Sequence, residues 1–491
     1  MKKNHVLAMA ALAVAAGGLA YYFFGRAATT GAPQVAAVGT PPEKLLAAHC
    51  GTCHVTPEPT QMTRERWPFV VQWMGNYVGI KNIDSVNERL VITQYIPDTP
   101  RMSPSDLGRL EAWLVAQSKP QSEMRIARPR AKVTTRFKPW KPGWVADRDL
   151  VTLAAVDERR GRVLIGAGVP EQPQLYSITR SGEVEWTVPL VSEAIDVEFI
   201  DDRYRVTIIG AFDTDRGIGQ ILDIVPGAPP SQVMLLNGGH RMTHTVTRDL
   251  DGDGRKDLVT TSFGDGYGPG GLGRTSVLWA TEQFAEIYAA GAAEIPPGPL
   301  RGALDERVLM QEAGPLNVVV GDFDGDKKED ILLARAQGRQ QLILWRNKGG
   351  RDFEKIVVKE WFPGFGLNHV EAADFDNDGD LDLVVVTGNN MEIPEPPLRP
   401  YHGVRVFENE GQLRFKERYH YPFYGALDAV VRDFDNDGDP DIASIAFFVD
   451  WEDPESFVYL ENTGPYTFEA SGLAKGDFWP LADHRRGRRR R

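Results

Sequence analysis

The stretch Asp374-Phe375-Asp376-Asn377-Asp378-Gly379-Asp380-Leu381-Asp382 runs directly into Leu383-Val384-Val385-Val386-Thr387. Carboxylates at positions 1, 3, 5 and 9 of a tight loop converge their oxygens on one point. The run behind them is β-branched and apolar enough for a buried strand. The pattern recurs: DLDGDGRKD at 249–257 precedes LVTTS, DFDGDKKED at 322–330 precedes ILLA, and DFDNDGDPD at 433–441 precedes IASIA. The starts at 249, 322, 374 and 433 are 73, 52 and 59 residues apart, room for one four-stranded blade each. Repeats of this length call for a solenoid or propeller before any other fold, and an all-β propeller is expected.

Calcium takes six to eight oxygen ligands, and a backbone carbonyl at position 7 can add to the carboxylates. The expected ligands are Asp249, Asp251, Asp253 and Asp257; Asp322, Asp324, Asp326 and Asp330; Asp374, Asp376, Asp378 and Asp382; and Asp433, Asp435, Asp437 and Asp441. Up to four Ca²⁺ are therefore expected. Lys327 stands where the other three loops carry glycine, so the second loop should bind most weakly.

Two further repeats have lost the pattern. VTLAAVDERRGRVLIG at 151–166 and IDVEFIDDRYRVTIIG at 195–210 align with Asp157 and Asp201 at position 1, but Arg159 or Arg203 then occupies position 3. A cation stands where a ligand is needed, so these blades should fold without metal. Six blades are visible, and residues near 130–145 are expected to complete a seventh. Five residues before each position 1 lie Thr152, Asp196, His244, Asn317, His369 and Asp428. One polar residue per blade falls near the start of the innermost strand, at a mouth of the channel. The ring reads as solvated channel lining, with a metal or small-ligand site as the alternative.

These Asp loops resemble the FG-GAP/VCBS repeats of integrin-α-like β-propellers over roughly residues 145–475. The resemblance implies one structural Ca²⁺ per loop, between the first and second strands of a blade.

Upstream the texture changes. Cys50-Gly51-Thr52-Cys53-His54 is the C-x-x-C-H pattern of haem c attachment. Two thiols on one turn can each add to a haem vinyl group, and the next imidazole then reaches the iron. Zinc would need two more ligands than this cluster supplies. The chain has only 2 cysteines, so no disulfide framework competes for them. The flanking sequence resembles small single-haem cytochromes c, in which a Trp-containing helix supplies an axial Met. Pro68 fits only the first turn of a helix, so that helix should begin near Arg66 or Trp67. Trp67 and Met74 then share one face. Met74 is the expected sixth ligand; Met102, just before a helix at 105–118, is the alternative, and no Met ligand is the third possibility. A His–Met pair leaves no open position for oxygen chemistry and points to electron transfer.

Lys2 and Lys3 precede an uncharged run at 6–24 that ends Tyr21-Tyr22-Phe23-Phe24. Its length approaches the roughly 20 residues that cross a bilayer, and its aromatics suit the interface. We read residues 1–26 as an uncleaved signal anchor, with a cleaved signal peptide and a soluble or secreted product as the alternative. The rest is then extracytoplasmic or periplasmic, anchored to the inner membrane. The expected domains are a tether at 27–40, an all-α cytochrome c domain at 41–125, a linker at 126–142, the propeller at 143–475 and a basic tail at 476–491.

A net charge of −13 over 491 residues argues against a nucleic-acid partner. The six arginines in the last eight residues read as a solvated tail, or as a patch for anionic headgroups or an acidic partner. The G-x-G-x-x-G within the insertion at 264–273 contains Pro269 and lacks a βαβ context. A second insertion, at 389–403, is stiffened by four prolines, and either insertion could cap the propeller or dock the haem domain. The leading expectation is electron transfer with a redox partner protein and no catalytic residues of the propeller's own. Alternatives are a propeller-based oxidoreductase that passes electrons to the haem, and an integrin-like adhesion or scaffold module. No feature of the sequence reports the oligomeric state.

Overall fold

The computed structural model describes residues 39–52, 54–81, 96–124, 130–138, 140, 142–144, 150–169, 172–211, 216–264, 272–289, 303–336, 339–389, 398–450 and 455–473. The apolar run at 6–24, Cys53, the basic tail and the middle of each insertion lie outside them. Among the described residues, no helix is long and apolar enough to cross a membrane.

Six antiparallel four-stranded sheets follow one another along the chain and form a six-bladed β-propeller. Blade I holds β2–β5 (Leu150–Asp157, Arg162–Val169, Gln172–Thr179, Val184–Pro189) and blade II holds β6–β9 (Ala194–Ile200, Arg203–Ile208, Gly219–Val225, Ser231–Gly239). Blade III holds β10–β13 (Met242–Arg248, Asp257–Ser262, Arg274–Ala280, Leu304–Met310). Blade IV holds β14–β17 (Pro315–Gly321, Asp330–Arg335, Gln340–Gly349, Asp352–Trp361). Blade V holds β18–β21 (Leu367–Ala373, Asp382–Thr387, Gly403–Asn409, Phe415–Pro422). Blade VI holds β22–β25 (Ala426–Arg432, Asp441–Ala446, Phe457–Gly464, Thr467–Gly472).

The burial of each strand explains its sequence. In β7, β11, β15 and β19, the second strands of blades II to V, every residue is buried. These strands lie between neighbouring blades on both faces, which is why they read as continuous apolar runs instead of alternating ones. The outermost β17 has no buried residue, its side chains being exposed or half-buried. The larger apolar cores each span a pair of blades: Leu175 packs with Val206, Val259 with Leu333, and Leu332 with Val385. A blade is therefore not a folding unit by itself.

The expected seventh blade is not formed. Residues near 130–145 supply only β1 (Lys132–Val133), which adds in parallel to the outer edge of blade VI, Lys132 beside Ser471 and Val133 beside Gly472. Phe137 packs on Phe457 and Tyr459 with ring centroids 5.2 and 5.0 Å away, and Arg136 pairs with Glu461 at 2.5 Å. Trp144 then stacks on Tyr176 of blade I at 4.2 Å and donates its indole N–H to the Gly182 carbonyl at 3.3 Å. The segment runs from blade VI to blade I across the outside of the ring. It covers an edge whose backbone groups would otherwise stay unpaired.

A helical unit precedes the propeller. Helix α1 (Pro42–Leu45) passes into a π-helical turn, Leu46–Cys50. Helix α2 is Trp67–Gly75, with Pro68 in its first turn as expected. Helix α3 is Pro104–Gln117, capped where the Ser103 hydroxyl accepts the Asp106 N–H at 3.0 Å. Leu45, Trp67, Val71, Met102, Leu107, Leu110 and Leu114 form its core.

Candidate functional site

Antiparallel order puts the loops between first and second strands on one face of the propeller, and the blade-to-blade connections on the other. The aspartate loops occupy the first face. The helical unit meets the second, through 362–366 between blades IV and V and through the end of the 389–403 insertion.

The propeller side of this contact is aromatic. Phe365 stacks on Trp361 at 4.7 Å, and Tyr401 meets Phe362 edge-on at 5.2 Å. The Tyr401 hydroxyl lies 3.2 Å from the Gln61 carbonyl of the helical unit and 3.1 Å from the Gly364 carbonyl. It can donate to one at a time. Among the described residues, the second insertion makes this contact.

An apolar cavity lies at this junction. Cys50, His54, Met74 and Met102 all line it, between walls that include Trp67, Val71, Leu107 and Leu110. The propeller supplies Phe362, Pro363, Gly364 and Arg399. Met102 is buried in the core, and Met74 is half-buried on the last turn of α2. Trp67 and Met74 face the cavity together, as their spacing predicts. Cys53 lies outside the described residues.

His54 Nδ1 is 2.7 Å from the Val55 carbonyl. With Nδ1–H donating there, Nε2 carries the lone pair that a metal requires. Burial pushes its pKa down to about 4, against the weaker effect of the Val55 hydrogen bond, so the ring is neutral near pH 7. A thiol, a neutral imidazole and two thioethers in an apolar cavity suit a covalently attached haem.

The Asp loops share one construction. The position 1 carboxylate accepts the position 6 N–H at 2.9 Å in Asp249 and Asp374, 2.8 Å in Asp322 and 3.0 Å in Asp433. The position 9 carboxylates Asp257, Asp330, Asp382 and Asp441 are buried. Each accepts the position 2 N–H, from Leu250, Phe323, Phe375 or Phe434. Each also accepts an N–H from the third strand, from Ala280, Asn347, Asn409 or Asn462. In every loop one oxygen from each of positions 1, 3 and 9 lies within 4.8 Å of the others. The position 5 residues Asp253, Asp326, Asp378 and Asp437 sit outside these triads. Burial first, then the neighbouring carboxylates, raise Asp257, Asp330 and Asp382 to about 6 against their backbone hydrogen bonds. A divalent cation would relieve that repulsion.

The loops differ in their neighbours. Asp251 is met by Arg351 at 2.6 Å, and Asp324 by Arg346. Among the described residues, Asp376 and Asp435 have no Lys, Arg or His side chain within ion-pair distance. In the two blades without the motif the position 1 carboxylate pairs with a cationic side chain. Arg160 holds Asp157 at 3.0 Å, and Lys256 reaches Asp201 at 3.1 Å.

Reading the sequence missed the third-strand asparagines. Asn347 donates its side-chain N–H to the Leu250 carbonyl, and Asn409 to the Phe323 carbonyl, each in the Asp loop of the preceding blade. The signal was present as a recurring N-x-G at 347–349, 409–411 and 462–464.

The polar ring is partly exposed along the channel except at buried Asn317, and it also links one blade to the next. Each of its six residues sits at a register shift in its innermost strand. Five of them reach the next blade. The Thr152 hydroxyl donates to the Ala194 carbonyl at 2.6 Å, and Asp196 accepts the Thr245 N–H at 3.0 Å. His244 Nδ1 accepts the Val318 N–H at 3.4 Å, Asn317 bonds Val370, and His369 Nδ1 lies 3.3 Å from Asp428. The ring fastens the inner strands together, which disfavours a separate metal site there.

Residues 313–385 match the FG-GAP-like repeat family. No curated protein matches the chain. Among solved structures, similarity extends to a crystal structure of the mitotic checkpoint complex (11% identity, 61% of this chain and 72% of that one, TM-score 0.38). It extends also to the β-propeller domain of Cps50 (Swd1) from Myceliophteria thermophila (12%, 60% and 80%, 0.34). The N-terminal domain of Nup159 is similar too (12%, 72% and 90%, 0.38). Resemblances this loose carry no functional reading.

Proposed function

We propose that this protein is an extracytoplasmic electron carrier, held at the membrane by residues 6–24, in which Cys50, Cys53 and His54 hold a haem c. The observation that carries this reading is that Cys50, His54, Met74 and Met102 line one apolar cavity. The haem, when bound, would supply one-electron redox chemistry. Cys50 and Cys53 would fasten it, His54 would present Nε2 to the iron, and Met74 or Met102 would offer the opposite ligand. The apolar walls exclude water and so favour electron transfer over ligand exchange. The propeller, stiffened by up to four Ca²⁺, closes the pocket with its blade IV–V connection and leaves its other surfaces to dock a redox partner protein.

A second reading is favoured by one observation. The cavity wall at Gly364 precedes ring residue His369 by five residues, so their Cα atoms are at most about 18 Å apart. Oxidation of a substrate at that channel mouth, with electrons passed to the pocket, would use this proximity.

The test is expression of the full chain with haem-attachment machinery, followed by mass measurement and spectroscopic redox titration. Covalent haem and a reversible one-electron couple are expected. Colourless protein would overturn the proposal. Reduction of the haem by a small-molecule donor alone, lost on altering His369 or Asp428, would favour the second reading.

A further inference from the structure

Among the described residues, Arg399 is the one propeller cation in the cavity wall, and it is 3% exposed. Its Nη1 donates to the Gly364 carbonyl at 2.5 Å. Among the described residues no carboxylate lies within ion-pair distance of it. Among the described residues the surroundings do not compensate: His402 is fully buried with no hydrogen-bond partner on either ring nitrogen, and Arg405, itself a cation, takes Glu417 at 3.3 Å. Burying a charge without a counter-charge costs several kcal/mol. A guanidinium fork is moreover the group that pairs best with a planar carboxylate. An uncompensated buried arginine that faces an apolar cavity therefore calls for a ligand both apolar and anionic. Arg101 of the helical unit also lines the cavity and is exposed.

We propose that Arg399 is a positioning residue for the haem, contributed by the propeller: its guanidinium takes a carboxylate of the bound group, so the propeller sets the reduction potential of a centre carried by the helical unit. This rests on the haem reading above.

The test compares the full chain, expressed with attachment machinery, as wild type, R399Q, R399M and R399K. Each is titrated against a redox buffer and read by visible absorbance. Removing a cation beside the haem favours the ferric state. At a fixed poise near the midpoint, the reduced-to-oxidised ratio should therefore fall about tenfold in R399Q and R399M, or about 59 mV for a one-electron couple. R399K should recover most of that loss. R399M, which fills the space without a polar group, serves if R399Q does not fold. A haem-loaded neutral variant with the wild-type ratio would overturn the inference and leave the haem reading intact. Colourless wild-type protein would overturn both.

Discussion

Asn317 of blade IV pairs with Val370 of blade V as though it were a strand backbone. Its Nδ2 donates to the Val370 carbonyl at 2.7 Å and its Oδ1 accepts the Val370 N–H at 3.1 Å. The side chain supplies a rung of ladder between two sheets that do not otherwise hydrogen-bond there. Truncation to Ala would leave a buried N–H and C=O without partners, so N317A should destabilise the protein by roughly 2 kcal/mol. N317D, which keeps only the acceptors, should lose much of the same. Urea unfolding measures both, and an N317A midpoint equal to wild type would refute the account.

The next contact in the ring is charged and pH-dependent. Burial would lower the pKa of His369, but Asp428 at 3.3 Å, Glu371 at 3.2 Å and Asp196 outweigh it and raise the group to about 9. A folded pKa above the unfolded value near 6.5 adds stability that is complete below pH 6.5 and is lost as pH rises through about 9. The size is on the order of 3 kcal/mol. Wild type should therefore exceed H369Q in stability at pH 6, and the gap should close by pH 9.5. A gap that stays constant with pH would contradict the pairing.

Calcium should act unequally on the four loops. Arg351 and Arg346 already neutralise part of the charge at Asp251 and Asp324, whereas Asp376 and Asp435 have no such partner among the described residues. The loops at 374–382 and 433–441 should bind more tightly. A single site at a hundredfold excess over Kd stabilises by about 2.7 kcal/mol. Chelator should lower the melting temperature, and D376N should remove more of the calcium-dependent rise than D324N. An identical melting curve with and without chelator would remove the metal assignment.

Lys327 has φ +68°, the left-handed conformation that glycine occupies at the same position of the other loops, as in Gly379 at +96°. A side chain there costs about 1–2 kcal/mol, partly offset because glycine loses more backbone freedom on folding. K327G should stabilise the protein by about 0.5–1 kcal/mol and tighten calcium binding at 322–330. K327A should do neither.

Much of this was legible from spacing. Position 9 of each Asp motif ends the loop and opens the second strand, so the motif marked both the turn and the most deeply buried strand in its blade. C-x-x-C-H marked the helical unit, and Pro68 marked the start of α2. The ring was legible as one polar residue per blade, but its bonds from blade to blade were not, because periodicity reports where a side chain lies along a strand, not which blade it bonds. The seventh blade failed for a similar reason. The sequence near 130–145 carries strand-like residues, yet Phe137 and Trp144 find their partners on blades VI and I, and the segment is used as a strap.

Local pattern alone determined which residues turn, which strands are buried on both faces and which side chains can act as ligands, since those follow from chirality, pleat and spacing within a few residues. Only the tertiary structure decided that the ring closes at six, that Asn347 and Asn409 reach back to the loop of the preceding blade, and that Arg399 and Tyr401 stand beside a cavity built some 300 residues earlier. Contacts of that kind depend on how many sheets fill a circle and on which loop ends meet, and no short stretch of chain contains that information.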